Sequence, residues 1–282
     1  MNNNNLSIRK TPVDSDILPY TYGTHMLLDM CILRKKYDNF IMLVKFHKNQ
    51  DCDYDFMEDK KKRFLFFTHV SLNTIGNETF MINEIQRLCR KHKRFVIINL
   101  LVNIVDKDAH GNLIIIDTKN KEVYRFAPHG SMEIHKKLDK LLVKFFVKVN
   151  PNYKFIKIEE YLPYFFFQAV EISLELKDGK HPLDTEGSCY YWCHYFLKLR
   201  LKFPDMDIMK LAEKCLYAIL ASKKTDMRRL IRNHAQHIER LSRKEYPKLL
   251  DKIGTDNIKP WEDIDIKIRK EICKIYKREF KY

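Results

Sequence analysis

Apolar and polar positions follow two rhythms along this chain, and the switch between them marks its elements. Residues 95–102 (Phe-Val-Ile-Ile-Asn-Leu-Leu-Val) form a continuous apolar run of β-branched character, the pattern of a strand buried on both faces. Residues 113–116 and 122–126 are predicted to pair as a hairpin around the polar turn Thr118-Lys119-Asn120-Lys121. Helical spacing places Ile82, Ile85, Leu88 and Cys89 on one face of 82–93. In 131–149, Ser131 is a candidate cap, and Ile134, Leu138, Leu141, Leu142, Phe145 and Phe146 make the apolar face. Residues 153–159 alternate as a strand, and 164–170 read as an apolar strand carrying Gln168. A polar loop, 177–188, leads into a helix that opens at Cys189 and ends before Pro204. Beyond Pro204 the spacing is helical over 206–221, 226–243 and 261–280. Upstream, 1–20 read as a disordered lead-in with an Asn tract, 51–62 as a charged loop and 64–70 as an apolar run. Phe40-Ile41-Met42-Leu43-Val44 is a candidate strand.

This order describes an α+β core with helical additions at its C-terminal end. Three regions are expected: a lead-in and accessory region over 1–80, the core over 81–204, and a helical region over 205–282. An apolar fraction of 45% with 12% aromatic residues is ample for a packed core and excludes global disorder. No signal peptide is visible behind Met1-Asn2-Asn3, and the run 95–105 contains two asparagines and is too short for a bilayer. The expectation is a soluble intracellular protein, not secreted and without a membrane partner.

The net charge of +15 suits a polyanion. Lys, Asn, Ile, Phe and Tyr are all abundant while Gly is scarce, however, and that is the residue set of A/T-rich codons. Base composition explains much of the charge, and no recognised nucleic-acid module accompanies it. Nucleic acid therefore remains the alternative partner for the basic surface, above all for the arginine-rich helix 226–243. The cysteines (Cys31, Cys52, Cys89, Cys189, Cys193, Cys215, Cys273) are odd in number and dispersed, which reads as reduced thiols.

Chemistry concentrates where Gly187-Ser188 meets Cys189-Tyr190-Tyr191-Trp192. A thiol at a helix N-terminus faces unpaired backbone N–H groups and the positive end of the helix dipole, both of which favour thiolate. The bland alternative is an ordinary buried thiol on a stripe with Trp192, Cys193, Phe196 and Leu199. Cys189, Cys193, His194 and His181 also invite a zinc reading, but there is no Cys-x-x-Cys pair and no second ligand cluster. No metal or other cofactor is expected.

Four pieces occur in a specific order: the strand His110-Gly111-Asn112-Leu113-Ile114-Ile115-Ile116-Asp117; the strand Tyr124-Arg125-Phe126-Ala127-Pro128-His129-Gly130; Gln168; and Gly187-Ser188-Cys189-Tyr190-Tyr191-Trp192. This order resembles the clan of adenovirus proteases and ubiquitin-like-protein-specific proteases, in the divergent form found in large cytoplasmic DNA viruses. The resemblance covers roughly 80–235, and Arg229-Leu230-Ile231-Arg232-Asn233 resembles the C-terminal helices of the viral members. It implies a papain-like core, a mixed sheet with a cysteine-bearing helix packed on it. It also implies a thiol protease acting on ubiquitin-like tails or viral precursor proteins. In that scheme Cys189 is the nucleophile and His110 the base. Gln168 is the side-chain oxyanion donor, joined by the Cys189 N–H.

Two departures stand out. The clan places its acid seventeen residues after the histidine, and position 127 here is Ala. Asp117 lies about 23 Å along the same strand, and Glu122 points to the other pleat face from position 127, so neither replaces it. A water or a backbone carbonyl is the expected substitute. Gln168 also precedes Cys189 by 21 residues, whereas the clan more often has only a few. The missing acid keeps open a second reading, an inactive pseudo-protease that binds without turnover. A third is a basic virion or nucleic-acid-associated protein.

Overall fold

The computed structural model describes residues 24–43, 53–58, 64–71, 78–104, 110–131, 133–163, 166–168, 188–220, 227–253 and 266–280. The expected lead-in over 1–20 and most of the loop before Cys189 lie outside the described residues.

The core is a seven-stranded mixed sheet. Its centre is β4 (Phe95–Ile104), the longest apolar run. One edge of β4 is shared. β1 (Phe40–Met42) lies parallel to its start, with Phe40 opposite Phe95, and β3 (Phe64–Ser71) lies antiparallel to its end, with Phe64 opposite Ile104. β5 (His110–Asp117) runs antiparallel along the other edge, and β6 (Glu122–Phe126) completes the expected hairpin. β7 (Lys154–Ile156) joins β6 in parallel. The hairpin turn is held by Asp117, whose Oδ1 accepts the N–H groups of Lys119 and Asn120 at 3.0 and 3.1 Å.

Eight helices are described. α1 (Thr24–Lys36) packs against the helices at the C-terminal end of the chain. α2 (Glu78–Cys89) and α3 (Glu133–Val149) pack on each other. α4 (Ser188–Lys202) carries Cys189 and packs on β5. α5 (Ile208–Leu220), α6 (Met227–Glu245), α7 (Pro247–Ile253) and α8 (Ile266–Phe280) follow. The Phe280 ring of α8 meets Phe40 of β1 edge-on, centroids 5.6 Å apart, so the last helix returns to the first strand. Sheet and helices together have the expected α+β architecture, a mixed sheet with the cysteine-bearing helix packed against it.

Local corrections have physical causes. Residues 51–62, expected as a charged loop, contain β2 (Asp53–Glu58), paired antiparallel with β3. Asp53-Tyr54-Asp55-Phe56 alternates with period two, and the charge density hid that rhythm. The strand expected over 153–159 stops at Ile156 and gives way to a 3-10 turn, Ile158–Glu160. There the Ile158 N–H turns to Asp139 Oδ2 at 2.7 Å, and Lys157 N–H to Glu160 Oε1 at 2.8 Å, so neither amide extends a ladder. α7 was not anticipated, and of the helix expected over 261–280 the first five residues lie outside the described residues, the rest being α8. Among the described residues no helix is long and apolar enough to cross a membrane.

Candidate active site

α4 is buried almost all round, including Cys189, Tyr190, Trp192, Cys193, Phe196 and Leu197, as a helix in the middle of a domain must be. Phe196 stacks on Phe126 of β6, centroids 4.1 Å apart and planes within 10°, and Trp192 stacks on Phe167 at 4.5 Å. These two contacts fix the rotation of the helix over the sheet. Its C-terminal end is closed by Arg200, whose Nη1 donates to the carbonyls of Phe203, Pro204 and Met206 at 3.5, 3.3 and 2.5 Å. A cation there also meets the negative end of the dipole. Cys189 sits at the N-terminal end, in the first turn.

β5 delivers its first residues to that end. The Gly111 N–H donates to Cys189 Sγ at 3.3 Å, and one helical turn on the Cys193 thiol donates to the Gly111 carbonyl at 3.6 Å. Two thiols thus grip the peptide of Gly111, next in sequence to His110. The approach favours glycine. A Cβ at position 111 would lie 3.2 Å from Cys189 Sγ and 3.6 Å from the Tyr190 nitrogen. An N–H directed at sulfur, at a helix N-terminus, stabilises negative charge there. Burial pushes the Cys193 thiol well up, with Cys189 as the next cause, so Cys193 stays protonated.

His110 is partly exposed, and its backbone is tied inward by a chain of polar contacts. Asn112 Nδ2 donates to the His110 carbonyl at 3.2 Å. Arg125 Nη1 donates to Asn112 Oδ1 at 2.5 Å, and Arg125 Nε to Asp139 Oδ1 at 2.8 Å. Tyr161 Oη closes the chain by donating to the Arg125 carbonyl at 2.6 Å. Arg125 and Asp139 are both buried, so each depends on the other.

Ala127 is fully buried, and its methyl side chain offers no hydrogen-bonding group to an imidazole. A neighbour that the structure brings to the His110 ring is His129, which the sequence reading passed over although it lies only two residues beyond position 127. The ring centroids are 4.4 Å apart and the planes 88° apart. His129 is buried, and burial, with a smaller effect of His110, pulls it down to about 3. The signal that could have found it was a second histidine two residues beyond position 127, at the end of the strand paired with β5.

Gln168 is not on a strand. Phe167 and Gln168 have helical backbone, and periodicity alone could not separate a short buried helical turn from a strand. Phe166 N–H donates to the His129 carbonyl at 3.1 Å and Gln168 N–H to the Pro128 carbonyl at 3.0 Å. The turn holding His129 and the segment holding Gln168 are therefore one stitched unit. Gln168 is buried, and neither its Oε1 nor Ser188 Oγ, beside Cys189, has a hydrogen-bond partner among the described residues.

Behind α4 lies a separate polar cluster. Asp29 of α1 accepts Ser242 Oγ at 2.8 Å and Tyr190 Oη at 3.1 Å, and burial raises its carboxyl to about 7. His194 Nδ1 and His234 Nε2 are 3.1 Å apart, and burial holds the two imidazoles down to about 3 and about 2. Cys189 and Cys193 converge on Gly111 while His194 turns to α6, so these side chains face different neighbours. Among the described residues no group of three or more His, Cys, Asp or Glu side chains is placed to hold a metal ion. His181 lies outside the described residues.

No family model matches the chain. It is 27% identical over 169 residues to a protein of Acanthamoeba polyphaga mimivirus named as the ankyrin repeat protein L371. That match covers 55% of this chain and 22% of the mimivirus protein, so the chain spans about a fifth of the length of this relative. Among solved structures it is similar to the Chlamydia trachomatis effector protein ChlaDUB1, with a TM-score of 0.46 and 13% identity over 82% of this chain and 88% of that one. It is likewise similar to the C. trachomatis effector protein Cdu1 bound to ubiquitin, with a TM-score of 0.46 and 13% identity over 83% of this chain and 96% of that one.

Proposed function

We propose that the protein is a thiol protease that cleaves ubiquitin-like-protein tails or viral precursor proteins, with Cys189 as nucleophile and His110 as base. The observation that carries this reading is the 3.3 Å contact from the Gly111 N–H to Cys189 Sγ. It brings the thiol at a helix N-terminus against the peptide that follows His110. The substrate class rests on the resemblance carried by the ordered strands, Gln168 and the cysteine helix.

The chemistry follows from those roles. The Cys189 thiolate adds to the scissile carbonyl carbon, and the carbonyl electron pair moves onto oxygen. The Cys189 N–H and the Gln168 side-chain N–H₂ stabilise that oxyanion. Protonated His110 gives its proton to the leaving amine as the C–N bond breaks, leaving a thioester. A water that loses a proton to His110 then adds to the thioester, releasing the carboxylate and restoring the thiol. An acid that orients the histidine raises rate, but its loss leaves the nucleophile, base and oxyanion hole in place.

The second reading, a pseudo-protease that keeps the groove without turnover, is favoured by one observation, the fully buried Ala127. Turnover of fluorogenic ubiquitin-like tails and of peptides with small residues at the cleavage site separates the two. The protease reading expects hydrolysis that disappears in Cys189→Ala. Binding of a tail without hydrolysis, unchanged in Cys189→Ala, supports the pseudo-protease.

A further inference from the structure

We propose that His129 is the positioning residue for His110, taking over the orienting task of the acid absent at position 127; this rests on the protease reading of Cys189 and His110. The geometry is direct. The two imidazoles meet edge-to-face with centroids 4.4 Å apart, a separation at which neither ring turns freely without displacing the other. An imidazole can do what an orienting group must do, since a neutral ring offers one acceptor nitrogen, one N–H and a π-face.

The place of His129 is fixed independently of His110. Gly130, with φ at 93°, adopts a backbone that other residues rarely take, and its N–H returns to the Ala127 carbonyl at 3.0 Å. The carbonyls on and before His129 are claimed by the Phe166 and Gln168 amides, and the Ser131 N–H by the Pro163 carbonyl at 2.9 Å. The turn from 127 to 131 is therefore pinned at both ends, and the His129 ring is presented to His110 from a rigid mount. Its burial keeps it neutral at ordinary pH, so it places no positive charge against the imidazolium that His110 becomes beside a thiolate. The segment that pins His129 also bears Gln168. Base orientation and the oxyanion donor thus share one support.

Two measurements test the proposal. In the wild-type protein labelled with ¹⁵N at histidine, the neutral His110 ring should show a single tautomer, and in His129→Phe a mixture of both. In steady-state hydrolysis, His129→Phe should lower kcat by about tenfold to a hundredfold while KM stays within about threefold, and His129→Gln should recover most of the loss. A merely structural histidine predicts no tautomer change and no recovery with Gln. A mixed tautomer in the wild type, or a kcat in His129→Phe within about twofold of wild type, overturns the proposal. The wild-type spectrum decides the matter if the Phe variant does not fold. Turnover lost in Cys189→Ala and His110→Ala but kept in His129→Phe overturns the positioning role alone. Turnover unaffected by Cys189→Ala overturns the protease reading beneath it.

Discussion

The amide nitrogen of Gly111 and the sulfur of Cys189, 78 residues apart in the chain, lie 3.3 Å from each other. The first turn of α4 and the first residues of β5 therefore meet at the thiol, and a side chain at position 111 would press on it.

Gly111→Ala is the direct consequence. The added methyl would sit 3.2 Å from Cys189 Sγ, and the flexible end of that contact is the thiol itself. The sulfur should swing away while the fold survives. Hydrolysis should fall by about tenfold to a hundredfold in kcat/KM, with a small change in melting temperature, because misplacing a reacting atom by a fraction of an ångström is costly. Parallel kinetics and thermal melts check both halves.

Gln168→Ala separates the oxyanion role from packing. The Oε1 atom is buried without a hydrogen-bond partner, so truncation removes an unsatisfied polar group and should leave stability near wild type. If its N–H₂ holds the oxyanion, kcat should fall by about a hundredfold to a thousandfold with KM little changed. Steady-state kinetics beside a urea titration reads the outcome.

The hairpin β5–β6 was legible because an apolar run rich in isoleucine, a polar four-residue turn and the alternating Glu-Val-Tyr-Arg-Phe follow one another directly. α4 was legible from its cysteine entry and its stop before Pro204. α1 was not, since Thr24–Lys36 carries apolar residues on several faces and has no amphipathic stripe. It is used as a buried helix, with Leu28, Met30, Cys31 and Leu33 all covered. The polar grip of Asp29 on Ser242 and Tyr190 could not be read either, because it joins residues that only the tertiary fold brings together. His129 was missed for a related reason. Attention to position 127 followed a sequence spacing, whereas the ring that meets His110 comes from the turn two residues later.

Asp139→Ala should be strongly destabilising. Burial pushes the Asp139 carboxyl up and Arg125 draws it partly back, so the pair exists as an ionic contact in a dry place. Removing the carboxylate strands a buried guanidinium and frees the Ile158 amide, at a cost of about 3–5 kcal/mol. Chemical denaturation of the variant checks the size of the loss. A change below about 1 kcal/mol would mean that water reaches Arg125.

Stability should fall on acidification below about pH 6.5, through His129, His194 and His234. In the fold their imidazoles stay neutral down to about 3, 3 and 2, against an ordinary value of 6.5. Between these limits the unfolded chain binds more protons, so stability is full above 6.5 and is lost as pH drops. Asp29 opposes this. Its folded value near 7 against 3.8 means that the folded state keeps a proton the unfolded state has released, and its contribution declines as pH rises from about 4 to 7. Three groups outweigh one, so the urea midpoint should rise from pH 4 to 6.5, and His234→Leu should flatten that rise.

The most direct test of the central claim is the rate at which each cysteine is alkylated near neutral pH, read by peptide mass mapping of the folded protein. Burial pushes the thiols of Cys31, Cys193 and Cys215 up, and that of Cys89 to about 11, so all four should react slowly. Cys189, at the helix N-terminus and under the Gly111 N–H, should be modified at least about tenfold faster than Cys215, and His110→Ala should slow it. Alkylation of Cys189 no faster than that of Cys215, or untouched by His110→Ala, would contradict an activated nucleophile at this site.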